Sequence, residues 1–164
     1  MNLAFAVVIG AVLPLAVPTL VQAQGKADLS GKWTFNQAMS GARVSGNNPL
    51  VSFPTELLIK QSPTELNVET STLRQDAIHF VYTLDGSEIT VNGTDGMTIK
   101  AKAAWDGEKV VITSKRTFSS PAGEITADFK EVYSINGDVL TVEKTQIVGG
   151  VSNTGKAVYT KTAF

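Results

Sequence analysis

The chain of 164 residues contains one histidine, His79, and no cysteine. Nucleophilic catalysis needs a hydroxyl or thiol beside a base, and a transition-metal site needs imidazole, thiolate or a close set of carboxylates. His79 alternates with Ile78, Phe80, Tyr82 and Leu84 and falls on the polar side of that pattern, where a surface role is expected. Glu65 and Glu69 share a strand face but lie too far apart along an extended chain to act as a dyad. Asp85 and Asp106 are each followed by glycine and are explained by turns. None of the glycine pairs, Gly25/Gly31, Gly93/Gly96 or Gly149/Gly150, opens a helix, so phosphate-loop geometry is missing. The expectation is a protein that is not an enzyme and carries no cofactor and no metal.

A different chemistry, the holding of an apolar molecule, is open to the face that bears Met97, Ile99, Ala101, Ala103 and Trp105, where two successive inward positions are alanine. With Phe80, Tyr82, Phe129 and Tyr133 from neighbouring strands, the interior would be an apolar pocket with two phenolic hydroxyls, suited to a small lipophilic ligand. The same residues also fit a solid core in which the rings fill the room left by the alanines. Glu131, Glu143, Arg116 and Lys161 share parity with apolar neighbours. Unpaired charges inside would be expensive, so these groups are expected to pair with one another or to sit at an open rim. A cation that points inward would suit an anionic head group.

These side chains need a scaffold, and the period of the sequence supplies one. Apolar residues recur at every second position through Leu66–Val68, Ile78–Leu84, Met97–Trp105 and Ile125–Tyr133, the signature of strands buried on one face. Asp85-Gly86, Asp106-Gly107 and Asn136-Gly137 read as hairpin tips, and Ser62-Pro63 and Gly93–Gly96 as further reversals. Strands are expected near 30–36, 55–61, 64–72, 77–84, 87–92, 97–105, 108–118, 123–135, 138–147 and 155–163. The fold class is all-β, an antiparallel up-and-down barrel of eight to ten strands, because closure pairs the edges of a long meander; a two-sheet sandwich is the alternative. Gln37–Pro54, rich in Gly and Asn, reads as a mobile connection over one mouth of the barrel.

Met1 to Ala23 is an apolar run without a charged side chain that ends in Val21-Gln22-Ala23, the small-residue pattern of a signal-peptide cleavage site. Residues 1–23 are therefore expected to be a signal peptide and 24–164 a single barrel domain, located in the periplasm or secreted. No membrane span is expected after cleavage. A net charge of −1, with charges sprinkled along the chain, offers no basic patch for nucleic acid. Without cysteine, the domain relies on its sheet and core alone.

Leu29-Ser30-Gly31-Lys32-Trp33-Thr34 resembles the Gly-x-Trp opening shared by lipocalins, avidins and, more loosely, fatty-acid-binding proteins. With Tyr82–Gly86, Trp105-Asp106-Gly107 and Tyr159-Thr160-Lys161, the whole domain is similar in layout to lipocalin-like (calycin-type) small exported bacterial β-barrel proteins. The resemblance implies that Gly31 lets the entering chain approach closely and that Trp33 caps the closed end, with Lys161 nearest to the arginine that lipocalins lay over this tryptophan. Avidins present an asparagine to biotin where this chain has Phe35, which argues against biotin. Fatty-acid-binding proteins insert two helices after the first strand, against which the Gly and Asn content of 40–48 speaks. The implied function is a barrel that binds a small hydrophobic molecule; the alternative is a structural or partner-binding envelope protein with a solid core.

Overall fold

In the computed structural model, which describes residues 25–40, 52–72, 75–93, 97–121 and 123–163, strand follows strand. The order is β1 (Gly31–Phe35), α1 (Gln37–Ser40), β2 (Glu56–Gln61), β3 (Glu65–Thr72), β4 (Gln75–Thr83) and β5 (Asp85–Asn92). Then come β6 (Thr98–Asp106), β7 (Lys109–Ser120), β8 (Gly123–Asn136), β9 (Val139–Val148) and β10 (Val151–Thr162). All ladders are antiparallel, and β1 joins β10, so the meander curls into a nearly closed ten-stranded barrel. The first 24 residues, with the expected signal peptide, lie outside the described residues.

Closure stops short of pairing every edge. β4 and β5 stand at the two ends of the sheet order and share no ladder. Asp85-Gly86, read from sequence as a hairpin tip, lies at this seam instead. Gly86 has φ 85°, Asp85 Oδ1 accepts the Ser87 amide at 2.9 Å, and the β5–β6 register shifts between Asp85 and Glu88. A bulge twists and bends its strand, and here β5 follows β6 and leaves β4. Asp106-Gly107 and Asn136-Gly137 do form hairpins, with Asp106 paired to Lys109 and Asn136 to Val139. Gly149-Gly150 forms one more. Both residues have positive φ, 56° and 81°, which a type I′ turn requires, and Val148 pairs with Val151, so the last strand starts at 151 instead of 155.

The stretch after β1 begins with a single helical turn, α1, started by Asn36, whose Oδ1 accepts the Met39 amide at 3.1 Å. Ser40 Oγ fastens the turn to β10 by accepting the Val158 amide at 2.8 Å. Residues 41–51 lie outside the described residues. Ser52–Pro54 then cross the open mouth before β2.

The closed end holds the start of β1 and the end of β10. Trp33 is fully buried, pairs across the sheet with Leu57 and Lys161, and donates its indole N–H to Leu29 O at 3.0 Å. The Lys161 ammonium lies 5.3 Å from the ring centroid. Gly31 makes room for this arrangement: a Cβ there would come within 2.7 Å of Lys161 Cε, and its φ of 153° disfavours other residues. Above this plate the buried core runs through Leu57, Ile59, Leu66, Val68, Ile99, Val110, Ile112 and Leu140.

Candidate functional site

The interior is solid toward β5 and β6 and hollow toward the opposite wall. Ile99, Ala101 and Ala103 are each about 1% exposed within the packed core and do not line the cavity. The cavity, of about 110 Å3, lies instead between β2–β4 and β7–β10, beneath Ser52–Pro54. Its apolar walls are Leu57, Val68, Ile78, Phe80 and Val142; its polar surface is Thr70, Tyr82, Arg116, Glu131, Tyr133, Lys144 and Tyr159. Of the residues singled out from sequence, Phe80, Tyr82 and Tyr133 thus meet at one cavity. Trp105 lies half-buried, away from this cavity, with Lys26 Nζ 5.4 Å from its ring centroid. Phe129 lies beneath the Arg116 guanidinium, 4.3 Å away, also outside the lining.

Three charged side chains enter the barrel because the alternation of their strands turns them inward. Glu131 on β8 faces Lys144 on β9 across one ladder step, and Lys144 Nζ lies 3.0 Å from Glu131 Oε1. Arg116 on β7 reaches the same oxygen with Nη2 at 3.8 Å, and Tyr133 donates its hydroxyl to Glu131 Oε2 at 3.0 Å. Burial alone would raise the Glu131 pKa. Lys144 and Arg116, helped by the hydrogen bonds from Lys144 and Tyr133, outweigh it and hold the carboxyl below its ordinary value. With two cations and one carboxylate, the cluster carries a single net positive charge.

Burial, followed by the charge of Glu131, raises the pKa of Tyr82, Tyr133 and Tyr159. All three phenols are therefore neutral hydrogen-bonding groups at physiological pH. The covering segment is tied to the same cluster: Lys144 Nζ donates to Ser52 O and Tyr159 Oη to Pro54 O, each at 3.0 Å. Lys144 also lies 5.3 Å from the centroid of the Phe53 ring, which forms part of the roof.

Sequence parity placed Arg116 and Glu131 with the apolar residues, and they do pair inside. It misplaced Glu143, which is exposed on the outer wall, and missed Lys144. The local signal there is divided: Leu140 and Val142 set an inward parity that Lys144 continues, while Val139 and Ile147 support the opposite one. Among the described residues no group of three or more His, Cys, Asp and Glu side chains is placed to hold a metal, and no helix is long and apolar enough to cross a membrane.

No protein-family model matches the chain, and no curated protein matches it in sequence. Solved structures do match its fold. The "REP1-NXSQ fatty acid transporter" is 16% identical with a TM-score of 0.55, the match covering 83% of this chain and 97% of that one. Human cRBP IV is 18% identical with a TM-score of 0.52, covering 83% and 99%. The zebrafish ileal bile acid-binding protein complexed with cholic acid is 14% identical with a TM-score of 0.55, covering 81% and 98%. At these identities the likeness is one of architecture. The meander of ten antiparallel strands, joined first to last and, among the described residues, open at β4–β5, has the fold of the fatty-acid-binding and lipocalin-like calycin barrels.

Proposed function

We propose that the chain is an exported, non-enzymatic binding barrel that holds a small lipophilic molecule in the cavity beneath Ser52–Pro54, with the polar end of the ligand toward the charged cluster. The observation that carries this reading is the cavity itself: aliphatic and aromatic walls on one side, and Arg116, Lys144, Glu131 and the tyrosine hydroxyls converging on the other. A few convergent polar groups in an otherwise apolar concavity are what a ligand site needs to fix orientation. The fatty acid transporter and the cholic acid complex, which share the architecture, support the ligand class.

Protein recovered from its own host and examined by native mass spectrometry should carry a co-purifying lipophile, and its N-terminus should begin at Gln24. The emptied protein should also enhance the emission of an environment-sensitive lipid probe. A species free of ligand that binds neither probe nor extracted lipid would sink the proposal. That result would favour the second reading, a structural envelope protein, for which the small cavity speaks: about 110 Å3 against roughly 300–1,000 Å3 for typical ligand pockets.

A further inference from the structure

The large apolar side chains that this barrel leaves in water are concentrated in one place. Among the described residues they are Met39, Val81, Phe118, Ile125, Ile147 and Val151, and the last four sit on the ends of two neighbouring hairpins, β7–β8 and β9–β10. Both ends lie on the mouth side, opposite the end that Trp33 closes. Phe118 pairs with Ile125, and Val151 pairs with Val148, which faces Ala127 on β8. The two ends are therefore one continuous patch of sheet.

The first of them reaches past its neighbours. The β6–β7 ladder stops at Thr98–Thr117 and the β8–β9 ladder at Ala127–Val148, while β7 and β8 run on together from Phe118–Ile125 to Ser120–Gly123. At about 3.4 Å per residue, these further rungs carry the hairpin about 10 Å beyond the adjoining ladders. Charge is depleted in the same place. Residues 117–126 and 147–153 contain one charged side chain, Glu124, whereas the turns at the other end of these strands carry Asp106, Glu108, Lys109 and Asp138. Apolar groups stand on both faces of the patch: Phe118, Ile125 and Val151 continue the inward parity of Arg116, Ala127 and Lys144, and Ile147 has the opposite parity.

An exposed apolar patch marks contact with a protein or a membrane. A protein seated on a sheet covers one face, but a fluid apolar layer closes around a projecting end and covers both. We propose that the β7–β8 and β9–β10 hairpin ends are a membrane-docking rim, which dips Phe118, Ile125, Ile147 and Val151 into the surface of an electrically neutral bilayer and sets the barrel mouth against it. The projection of about 10 Å suits the roughly 5–10 Å depth to which interfacial apolar groups are buried. With Glu124 as the one charge on the two ends, anionic lipid adds no attraction there. Docking of this kind needs no molecule in the cavity, so it stands or falls apart from the binding function.

The test is flotation of the exported protein, its mass showing residues 1–23 removed, with vesicles of phosphatidylcholine alone and of phosphatidylcholine mixed with phosphatidylglycerol. Partitioning into the two should agree within about two-fold, and raising salt from about 0.1 to 1 M, which shortens the Debye length from about 10 to 3 Å, should not release the protein. Phe118→Ser combined with Val151→Ser should cut partitioning at least about ten-fold, whereas Val81→Ser, on β4 away from the rim, should change it less than about two-fold. Phe118 and Val151 are exposed in the free protein, so the double variant should keep the wild-type denaturation midpoint. Phe118→Trp gives a second readout: its added emission should be quenched by phosphatidylcholine brominated in the acyl chains. The proposal is overturned by a protein that does not float, by flotation that needs phosphatidylglycerol or is lost in high salt, or by an equal loss from Val81→Ser. Phe118→Trp emission that brominated lipid leaves unchanged overturns it too. So does a wild-type dimer in sedimentation that the double variant dissociates, since the rim would then join two copies of the chain.

Discussion

Glu131→Gln keeps the shape of the side chain and removes its charge, leaving Arg116 and Lys144 facing each other's field inside the barrel. The carboxylate is 13% exposed, 3.0 Å from one cation and 3.8 Å from the other. Removing one member of a buried pair costs about 3–5 kcal/mol, because the partner is left charged in a poorly solvated place. Two features lower that figure: Arg116 is 25% exposed and rests on the Phe129 ring, and Lys144 retains its hydrogen bond to Ser52 O. A loss of about 2–3 kcal/mol follows, which in urea, with a slope near 2 kcal/mol per molar, lowers the midpoint by roughly 1–1.5 M. Adding Lys144→Met returns the cluster to its single net positive charge and should recover at least half of the loss.

The pH dependence checks the same reasoning. A carboxyl whose folded pKa lies below its ordinary 4.5 contributes stability that is present above that value and is lost as pH falls through the folded pKa. The wild type should show that acid-limb loss, and Glu131→Gln should lack this component. A midpoint shift under about 0.2 M for Glu131→Gln, inside the uncertainty of the method, would mean that the cluster is not an interior ion pair.

Trp33→Ala should lower the denaturation midpoint sharply, since a fully buried indole lost from a core costs about 3–5 kcal/mol. Lys161→Ala, losing an exposed cation–π contact, should cost only about 0.5–1 kcal/mol; similar midpoints for the two variants would refute the barrel-end assignment. All three tyrosines of the chain are raised by burial, so stability is in full force below the ordinary phenol pKa of 10 and is lost as pH rises above it. Phenolate absorbance on alkaline titration should therefore appear together with unfolding; a native protein that titrates a tyrosine near pH 10 would contradict the buried cluster.

The strands were legible in the sequence because their signals are local. Period-two alternation marks Leu66–Val68, Ile78–Leu84 and Met97–Trp105, and the turn dipeptides at 106–107 and 136–137 mark the hairpins that end β6 and β8. Gly31, Trp33 and Lys161 were legible as a unit through the Gly-x-Trp opening. What tertiary structure alone decided are properties of pairing. Asp85-Gly86 carries the chemistry of a hairpin, yet the bulge that aligns β5 with β6 opens a seam there, and no local pattern reports which side a strand will choose. Small residues on β6 pointed to room beside Ala101 and Ala103, but room depends on what faces them; the core closes over the alanines, and the cavity lies on the other wall. On β9, Val139, Glu143 and Ile147 compete with Leu140, Val142 and Lys144 for the inward face, and either parity is plausible along the strand. The ladders with β8 and β10 settle it: Lys144 faces Glu131, and a one-residue slip would put every side chain of β9 on the opposite face.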